Sequence, residues 1–568
     1  MAKTDISVKE LVNKVKRKEL LLPEMQRKYV WPATRVRDLL DSLYRDYPSG
    51  NILVWETDED ITTRELSVLP DQTPTTMSKL LLLDGQQRIT SLASILTGEA
   101  VQVRNRKRPI DILFNLEHPE GPPTEVLEVD EEDISPDLDE PVDEEGGGRD
   151  IQEELKNRTF VVAARALKND PHWVSVSDIF KTDHAQILQR AGITSFTDPN
   201  YKKYSARLQK VKNIEGYMYS MHLLEKEMSY EEVTEIFVRV NSLGVKLRGS
   251  DLALAQITAK WRGFMQLMDE FVEQFDDDAN YILDWILVRL LTVLATKQSR
   301  FKTIGRYSKG QLEQAWEKTK SSLTFAMDFI RNNAGVDNLS YLSAAILVIP
   351  IAVYAQLHNE QLSEDEEKKL LRWFFLAHMR GHYSMGSSES ILDADLSVLF
   401  KGGSLDDLLS TLHQHVKRFD VEVGELAGKG TRSPIFSMLY FVLRQNGAKD
   451  WLTSLRLSDK TLSESHRIQY HHIFPKSLLH QAGLDQKEIN EIANMAFIGG
   501  KTNRHILNKE PKVYFQNEII PKRGQDALTS QLIPTDLSLW EMSNFKGFLT
   551  YRRHQIAESI NGFLKRFE

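Results

Sequence analysis

The chain has 568 residues, 41% hydrophobic and 27% charged, with a net charge of -9. That length exceeds what a single hydrophobic core serves, so roughly two to four domains are expected. It contains no cysteine, which excludes disulfides, thiol catalysis and cysteine-ligated zinc, and leaves any metal to His, Asp, Glu, Asn or carbonyl oxygen.

The opening "MAKTDISVKELVNKVKRKEL" lacks the apolar core of a signal peptide, so a cytoplasmic protein without a membrane partner is expected. Its apolar spacing predicts a helix with Asp5 as N-cap. "GNILVWET" reads as a strand, and "KLLLLDGQQRITSLASILTG" as strand, tight turn and helix closed by Gly98. "PIDILFNLE" and, later, "RTFVVAA" are further strands. Between them, residues 119–150 combine proline, glycine and acid, and cannot bury enough apolar surface to order themselves. Glu125 to Glu145 hold twelve carboxylates and no Lys or Arg; without them the remainder carries +3, so acidity does not exclude a nucleic-acid partner.

Residues 1–258 are expected to form an α+β domain containing that acidic loop, 259–450 an all-α body, and 451–568 a separate C-terminal unit. The whole is α+β but predominantly helical. Tyr341 to Leu357 is the most apolar stretch. Its length and Pro350 favour a buried, kinked helix over a membrane span.

In the N-terminal part, "LLLLDGQQRIT" delivers Asp84 and Gly85 into a turn, and Gln86, Gln87 and Arg88 open the helix. A helix N-terminus offers free N–H groups and positive potential to a phosphate. Arg88 can fork onto phosphate oxygens. Equally, Asp84 can simply cap a polar helix start. Two further strings hold more polar and aromatic detail than linkers need: "LLLPEMQRKYVW", with Gln26, Arg27, Tyr29 and Trp31, and "EIFVRVNSLGVKLRGSDLALA", with Arg239 and Asn241.

Near the C-terminus, "SESHRIQYHHIFPKSLL" reads as a strand ending in His471 and His472 and turning at Pro475. A helical pattern, "QKEINEIANMAFIGG", carries Asn494, and in "KTNRHILNKEP" Asn503 opens a short helix that stops at Pro511. Neighbouring strand residues point to opposite sides. One histidine can therefore face a divalent ion and the other a water held for deprotonation, the parts that one-metal phosphodiester hydrolysis needs. Ordinary packing is the bland alternative. Lys501, Arg504, Lys509, Lys512, Lys522, Arg523, Arg552 and Arg553, interleaved with Tyr514, Phe515 and Trp540, fit a nucleic-acid surface or a solvated helical face.

The segment from Tyr470 to Tyr514 resembles the ββα-metal motif of HNH nucleases. The resemblance implies His472 as general base, with Asn494 holding the loop that orients it. His471 and Asn503 would be the metal ligands. Mg²⁺ is the expected ion, though imidazole in place of the aspartate common at that position tilts the choice towards Mn²⁺ or another transition ion.

The strings P-x-x-Q-R-x-Y-V-W, D-G-Q-Q-R and I-F-x-R-x-N-x-x-G, together with "RWFFLAHMRGHYS" and "SESILDADL", resemble GmrSD-type restriction endonucleases over nearly the whole chain. That resemblance implies a ParB/sulfiredoxin-like N-terminal domain that hydrolyses a nucleoside triphosphate (NTP) and governs cleavage of DNA, modified phage DNA in particular, in antiviral defence. Asp84, Gly85, Gln86, Gln87 and Arg88 would form the nucleotide site, with Gln26 and Arg27 close by and Arg239 and Asn241 in support. Tyr29 and Trp31 would line a DNA-recognition surface; Arg504 and Lys509, by their charge, are the candidate DNA contacts at the nuclease end. The alternatives are a ParB-like NTP switch that binds DNA beside a vestigial nuclease, and an HNH ribonuclease. A homodimer is left open.

Overall fold

A computed structural model describes residues 2–25, 31–58, 63–64, 79–97, 111–121, 155, 157–163, 167, 170–243, 249–275, 280–453, 455–458 and 467–568. The chain is α+β and mostly helical, as expected. It divides into two compact units, Met1–Asp269 and Glu270–Glu568.

The first unit is built on a mixed sheet of six strands: β1 (Ala2–Ser7), β2 (Leu20–Pro23), β3 (Ile52–Thr57), β4 (Thr63–Arg64), β5 (Lys79–Asp84) and β9 (Met218–Leu224). They lie in the order β1-β9-β3-β5-β2-β4. A smaller antiparallel sheet joins β6 (Ile112–Asn115), β7 (Phe160–Val162) and β8 (Trp173–Ser175). Side chains alternate across the large sheet. Ile52, Val54 and Leu82 face one core, shared with α1 (Val8–Lys16), α2 (Ala33–Tyr44), α3 (Gln86–Thr97) and α4 (Tyr201–Lys212). Leu53, Trp55, Leu81 and Leu83 face another, with Tyr230, Phe237 and Ala255 of α5 (Tyr230–Leu243) and α6 (Gly249–Lys260). The sheet is thus buried on both faces, which is why its central strands read as continuous apolar runs.

The N-terminal helix begins later than the sequence indicates. Asp5 lies in β1, paired with Ser220 across the sheet, and Ser7 caps α1 by accepting from Glu10 N at 3.2 Å. The partner strand lies more than two hundred residues away, so no local pattern announces it. Gly98 and residues 122–150 of the acidic loop lie outside the described residues.

The second unit is led by helices α7 (Asn280–Thr296), α8 (Lys309–Phe329), α9 (Val348–Leu357), α10 (Glu364–Met379), α11 (Ser388–Phe400), α12 (Leu405–Val416) and α13 (Pro434–Gln445). Pro350 does not kink a long helix. It sits in the first turn of the ten-residue α9, where a missing N–H costs nothing. Among the described residues no helix is long and apolar enough to cross a membrane. Strands β10 (Ile468–His472) and β11 (Met495–Gly499) pair antiparallel, followed by α14 (Gly500–Ile506) and the long terminal α15 (Phe545–Leu564). Phe436 and Tyr440 of α13 pack on Phe497 of β11 at ring separations of 4.8 and 5.3 Å, so the strand pair shares the helical core.

Two local expectations fail here. "MAFIG" is a strand, not the tail of a helix; all five residues are buried and no period survives to identify it. Asn503 lies inside α14 rather than opening it, and the helix ends at Leu507, which takes φ +51°, while Pro511 starts the next short helix.

Candidate active site

Alternation along β10 puts Gln469 and His471 on one face and His472 on the other. His471 Nδ1 lies 2.8 Å from Oδ1 of Asn503. Asn503 Nδ2 donates to Gln469 Oε1 at 2.9 Å, which turns the amide so that its oxygen meets the imidazole. His472 Nε2 lies 3.0 Å from Asn490 Oδ1. His471 is 5% exposed, and burial pushes its pKa down to about 4; the bond to Asn503 opposes this and the neighbouring His472 adds to it. It is therefore neutral at pH 7, the state in which imidazole ligates a metal.

Asn494 is fully buried and grips the chain just after the histidine pair. Its Oδ1 accepts from Phe474 N (2.9 Å), and its Nδ2 donates to the carbonyls of Phe474 (3.2 Å) and Ile489 (3.0 Å). Tyr514 donates to the carbonyl of Ile473 at 2.9 Å.

A second buried clamp, Asp450, went unnoticed in the sequence. Its carboxylate accepts from Gly499 N (2.7 Å), Thr502 Oγ1 (2.7 Å), Thr453 N (2.8 Å) and Leu452 N (3.1 Å). It thereby fixes the start of α14, the helix that carries Asn503. Gln469 and Asn490 were missed as well. None of the three has a motif, because each acts through the group it positions.

His471 Nδ1 and Asn503 Oδ1, hydrogen-bonded here, are also of the donor types a divalent ion takes. Two ligand atoms at right angles on a cation, each ~2.1 Å away, stand about 3.0 Å apart, close to the observed Nδ1–Oδ1 separation. Among the described residues no three His, Cys, Asp or Glu side chains converge to hold a metal. Water and phosphate oxygen would complete the shell.

The basic residues are less free than their sequence implies. Arg552 is fully buried and donates to the carbonyls of Ala493, Met495, Gln531 and Leu532, and burial lowers its pKa to about 9. It braces β11 and does not meet solvent phosphate. Arg553 forks onto buried Glu491 at 2.6 and 2.7 Å, Lys512 pairs with Glu541 at 2.5 Å, and Lys509 pairs with Glu518 at 2.7 Å. Tyr514, Phe515 and Trp540 are core residues at 0% exposure, unsuited to stacking on bases. Lys501 and Arg504, flanking Asn503, are exposed. His466 lies outside the described residues, His480 is exposed, and His505 pairs with Glu518 at 2.8 Å.

In the first unit, β5 ends at Asp84, opposite an irregularity between Leu53 and Val54 of β3. Gly85 then turns with φ +99°, and a Cβ there would lie 2.5 Å from Ile52, so only glycine fits. Arg88 points back under the turn. Its guanidinium donates to the carbonyls of Ser49 and Asn51 (2.7 Å), pairs with Asp84 at 3.1 Å, and lies over Tyr219 at 5.8 Å. Gly50 has φ +93°, and a Cβ there would collide with that guanidinium. Gln87 Oε1 accepts from Trp31 N at 3.1 Å, tying Trp31 to the helix start. Asp84, Gln86 and Gln87 are half-buried. Trp31 packs against the core, and Gln26, Arg27 and Tyr29 lie outside the described residues. Arg239 is exposed and pairs with Glu235 one turn earlier, while the side chain of Asn241 lies outside the described residues.

Residues 8–258 match the family model of the GmrSD restriction endonuclease N-terminal domain. An uncharacterized protein of Methanocaldococcus jannaschii is 19% identical over 553 residues, covering 90% of this chain and 86% of its own. The family match likens the N-terminal part of this chain to that domain.

Proposed function

We propose that the chain is a DNA endonuclease whose β10–β11–α14 site hydrolyses phosphodiester bonds, governed by NTP binding and hydrolysis at the Asp84–Arg88 turn. The observation that carries this reading is the convergence of His471 Nδ1 and Asn503 Oδ1 at 2.8 Å, with His472 turned to the other side of the same strand. His471 and Asn503 hold the divalent ion, which when bound polarises the phosphate and stabilises the leaving oxygen. His472 takes the proton of the attacking water. Asn490 orients its ring, and Asn494 holds the loop behind it. In the first unit the half-buried carboxylate and amides of Asp84, Gln86 and Gln87 receive the nucleotide. Arg88 sets the turn from beneath, because its donors already serve Ser49, Asn51 and Asp84. Modified phage DNA, cut in antiviral defence, is the proposed substrate.

The test is a cleavage panel of plasmid, modified phage DNA and RNA, with Mg²⁺ or Mn²⁺ and with each NTP, for wild type and His472→Ala. Metal-dependent DNA cleavage that disappears in His472→Ala while NTP hydrolysis continues is the expected result. Cleavage by a clean His472→Ala preparation removes the base assignment. Cutting of RNA alone makes the chain a ribonuclease, and NTP turnover without any cutting makes it a switch. Asp84→Ala is expected to weaken NTP hydrolysis.

A further inference from the structure

The motif strings "RGHYS" and "SESILDADL" fold together well away from both sites in sequence, and the proposed chemistry does not use them. His382, in the turn after α10, and Asp395, on α11, are both 0% exposed. His382 Nε2 lies 2.9 Å from Asp395 Oδ2, and Tyr383 donates to the same oxygen at 2.6 Å. Among the described residues, two atoms of this cluster have no partner and are buried: His382 Nδ1 and Asp395 Oδ1.

That arrangement is incomplete as a purely structural pair. The carboxylate accepts, so His382 Nε2 carries its proton. If His382 is neutral, Nδ1 is a buried lone pair without a donor, and the Asp395 carboxylate lacks a countercharge. If His382 is cationic, its Nδ1–H is a buried donor without an acceptor. Either state leaves a desolvated polar group unmet. A cation on Nδ1 gives that lone pair a partner and the carboxylate a countercharge. A metal-bound histidine commonly donates its other N–H to a carboxylate in this way.

A second imidazole is at hand. His415, in the last turn of α12 and exposed, has its ring centre 5.3 Å from that of His382. Two imidazoles bound tetrahedrally at ~2.0–2.1 Å from one ion would have ring centres about 5 Å apart. We propose that His382 Nδ1 and His415 bind a transition-metal dication of the Zn²⁺ class, with Asp395 and Tyr383 as its buried support and water completing the shell. Imidazole ligands favour such ions over Mg²⁺. The ion would fasten the end of α12 to the α10–α11 turn, and the site is independent of the proposed nuclease site.

The test uses the full chain, free of any affinity tag and stripped with chelator. It is titrated with Zn²⁺ by equilibrium dialysis and with Co²⁺ by visible absorption, in the presence of excess Mg²⁺. Wild type is compared with His415→Ala, an exposed change that leaves the core intact, and with His413→Ala. A His471→Ala variant assigns any ion bound at the other site. The expected result is that His415→Ala binds one equivalent fewer, or binds that equivalent at least tenfold more weakly, while His413→Ala matches wild type. Asp395→Asn is expected to weaken the same equivalent ~10–100-fold. Equal binding by wild type and His415→Ala, or loss on His413→Ala instead, overturns the proposal. So does wild type that takes up no ion beyond the one lost in His471→Ala, which would leave a buried water as the partner of Nδ1.

Discussion

The two candidate sites treat their polar side chains in opposite ways. At β10–α14, supporting residues turn the working atoms toward one another: Gln469 orients Asn503, Asn490 meets His472, and Asn494 and Asp450 hold the backbone from behind. At the Asp84–Arg88 turn, the most eye-catching residue is itself the support, since Arg88 braces two carbonyls and the carboxylate it follows. A guanidinium in a motif therefore does not establish a phosphate ligand. What decides is whether its N–H groups already have acceptors, and burial among carbonyls makes that choice before any ligand arrives.

The sharpest break of this comparison is His472→Ala. It is expected to lower metal-dependent DNA cleavage by ~10²–10⁴-fold and to leave NTP hydrolysis within about twofold, as read by plasmid nicking and phosphate release. Asn494→Ala tests the support behind it. Loss of three bonds in full burial is expected to destabilise the second unit by about 2–4 kcal/mol, measured by denaturant unfolding, with cleavage falling in step.

Acid gives a further handle on the second unit. His378 is fully buried with its pKa lowered to about 3 by desolvation, so the unfolded chain takes up that proton first. Its contribution to stability is complete above pH 6.5 and falls by ~1.4 kcal/mol per pH unit below it, until the pH reaches the folded value. Buried His471, lowered to about 4, adds a like contribution, so chemical denaturation of the second unit at pH 7.5 and 5.5 should show the two together, and His378→Asn should remove about half of the slope.

For the first unit, Arg88→Lys distinguishes brace from ligand. As a brace, its loss is expected to cost about 1–2 kcal/mol and to raise hydrogen exchange at Asn51–Val54. A rise in the KM for NTP with neither change would make Arg88 a direct contact instead. The smallest effect is expected at Lys509, already paired with Glu518: Lys509→Ala should change stability by less than ~0.5 kcal/mol and leave the salt dependence of DNA binding alone. Exposed Arg504→Ala should reduce that salt slope by about one unit.

Much of this was legible in one dimension. The strand–turn–helix around Asp84, the strand ending in His471 and His472, and the helical bulk between them follow from apolar runs, turn residues and caps, which are local properties. The mistakes share one cause. Asp5 became a strand residue, "MAFIG" became β11, and Arg552, Tyr514 and Trp540 went inside because of partners far along the chain. A buried segment has no alternation to read, and a basic residue in a sequence does not say which carbonyls will surround it.

By itself, the sequence determined that two uncommon constellations exist, that no thiol takes part, and that adjacent histidines on a strand must diverge. Only the tertiary structure decided that His471 meets Asn503, that Gln469, Asn490 and Asp450 hold that geometry, and that Arg88 faces inward. Pattern follows from local sterics and periodicity. Which polar atoms find partners depends on segments brought together by burial, where every unmet donor or acceptor costs free energy and so selects one arrangement.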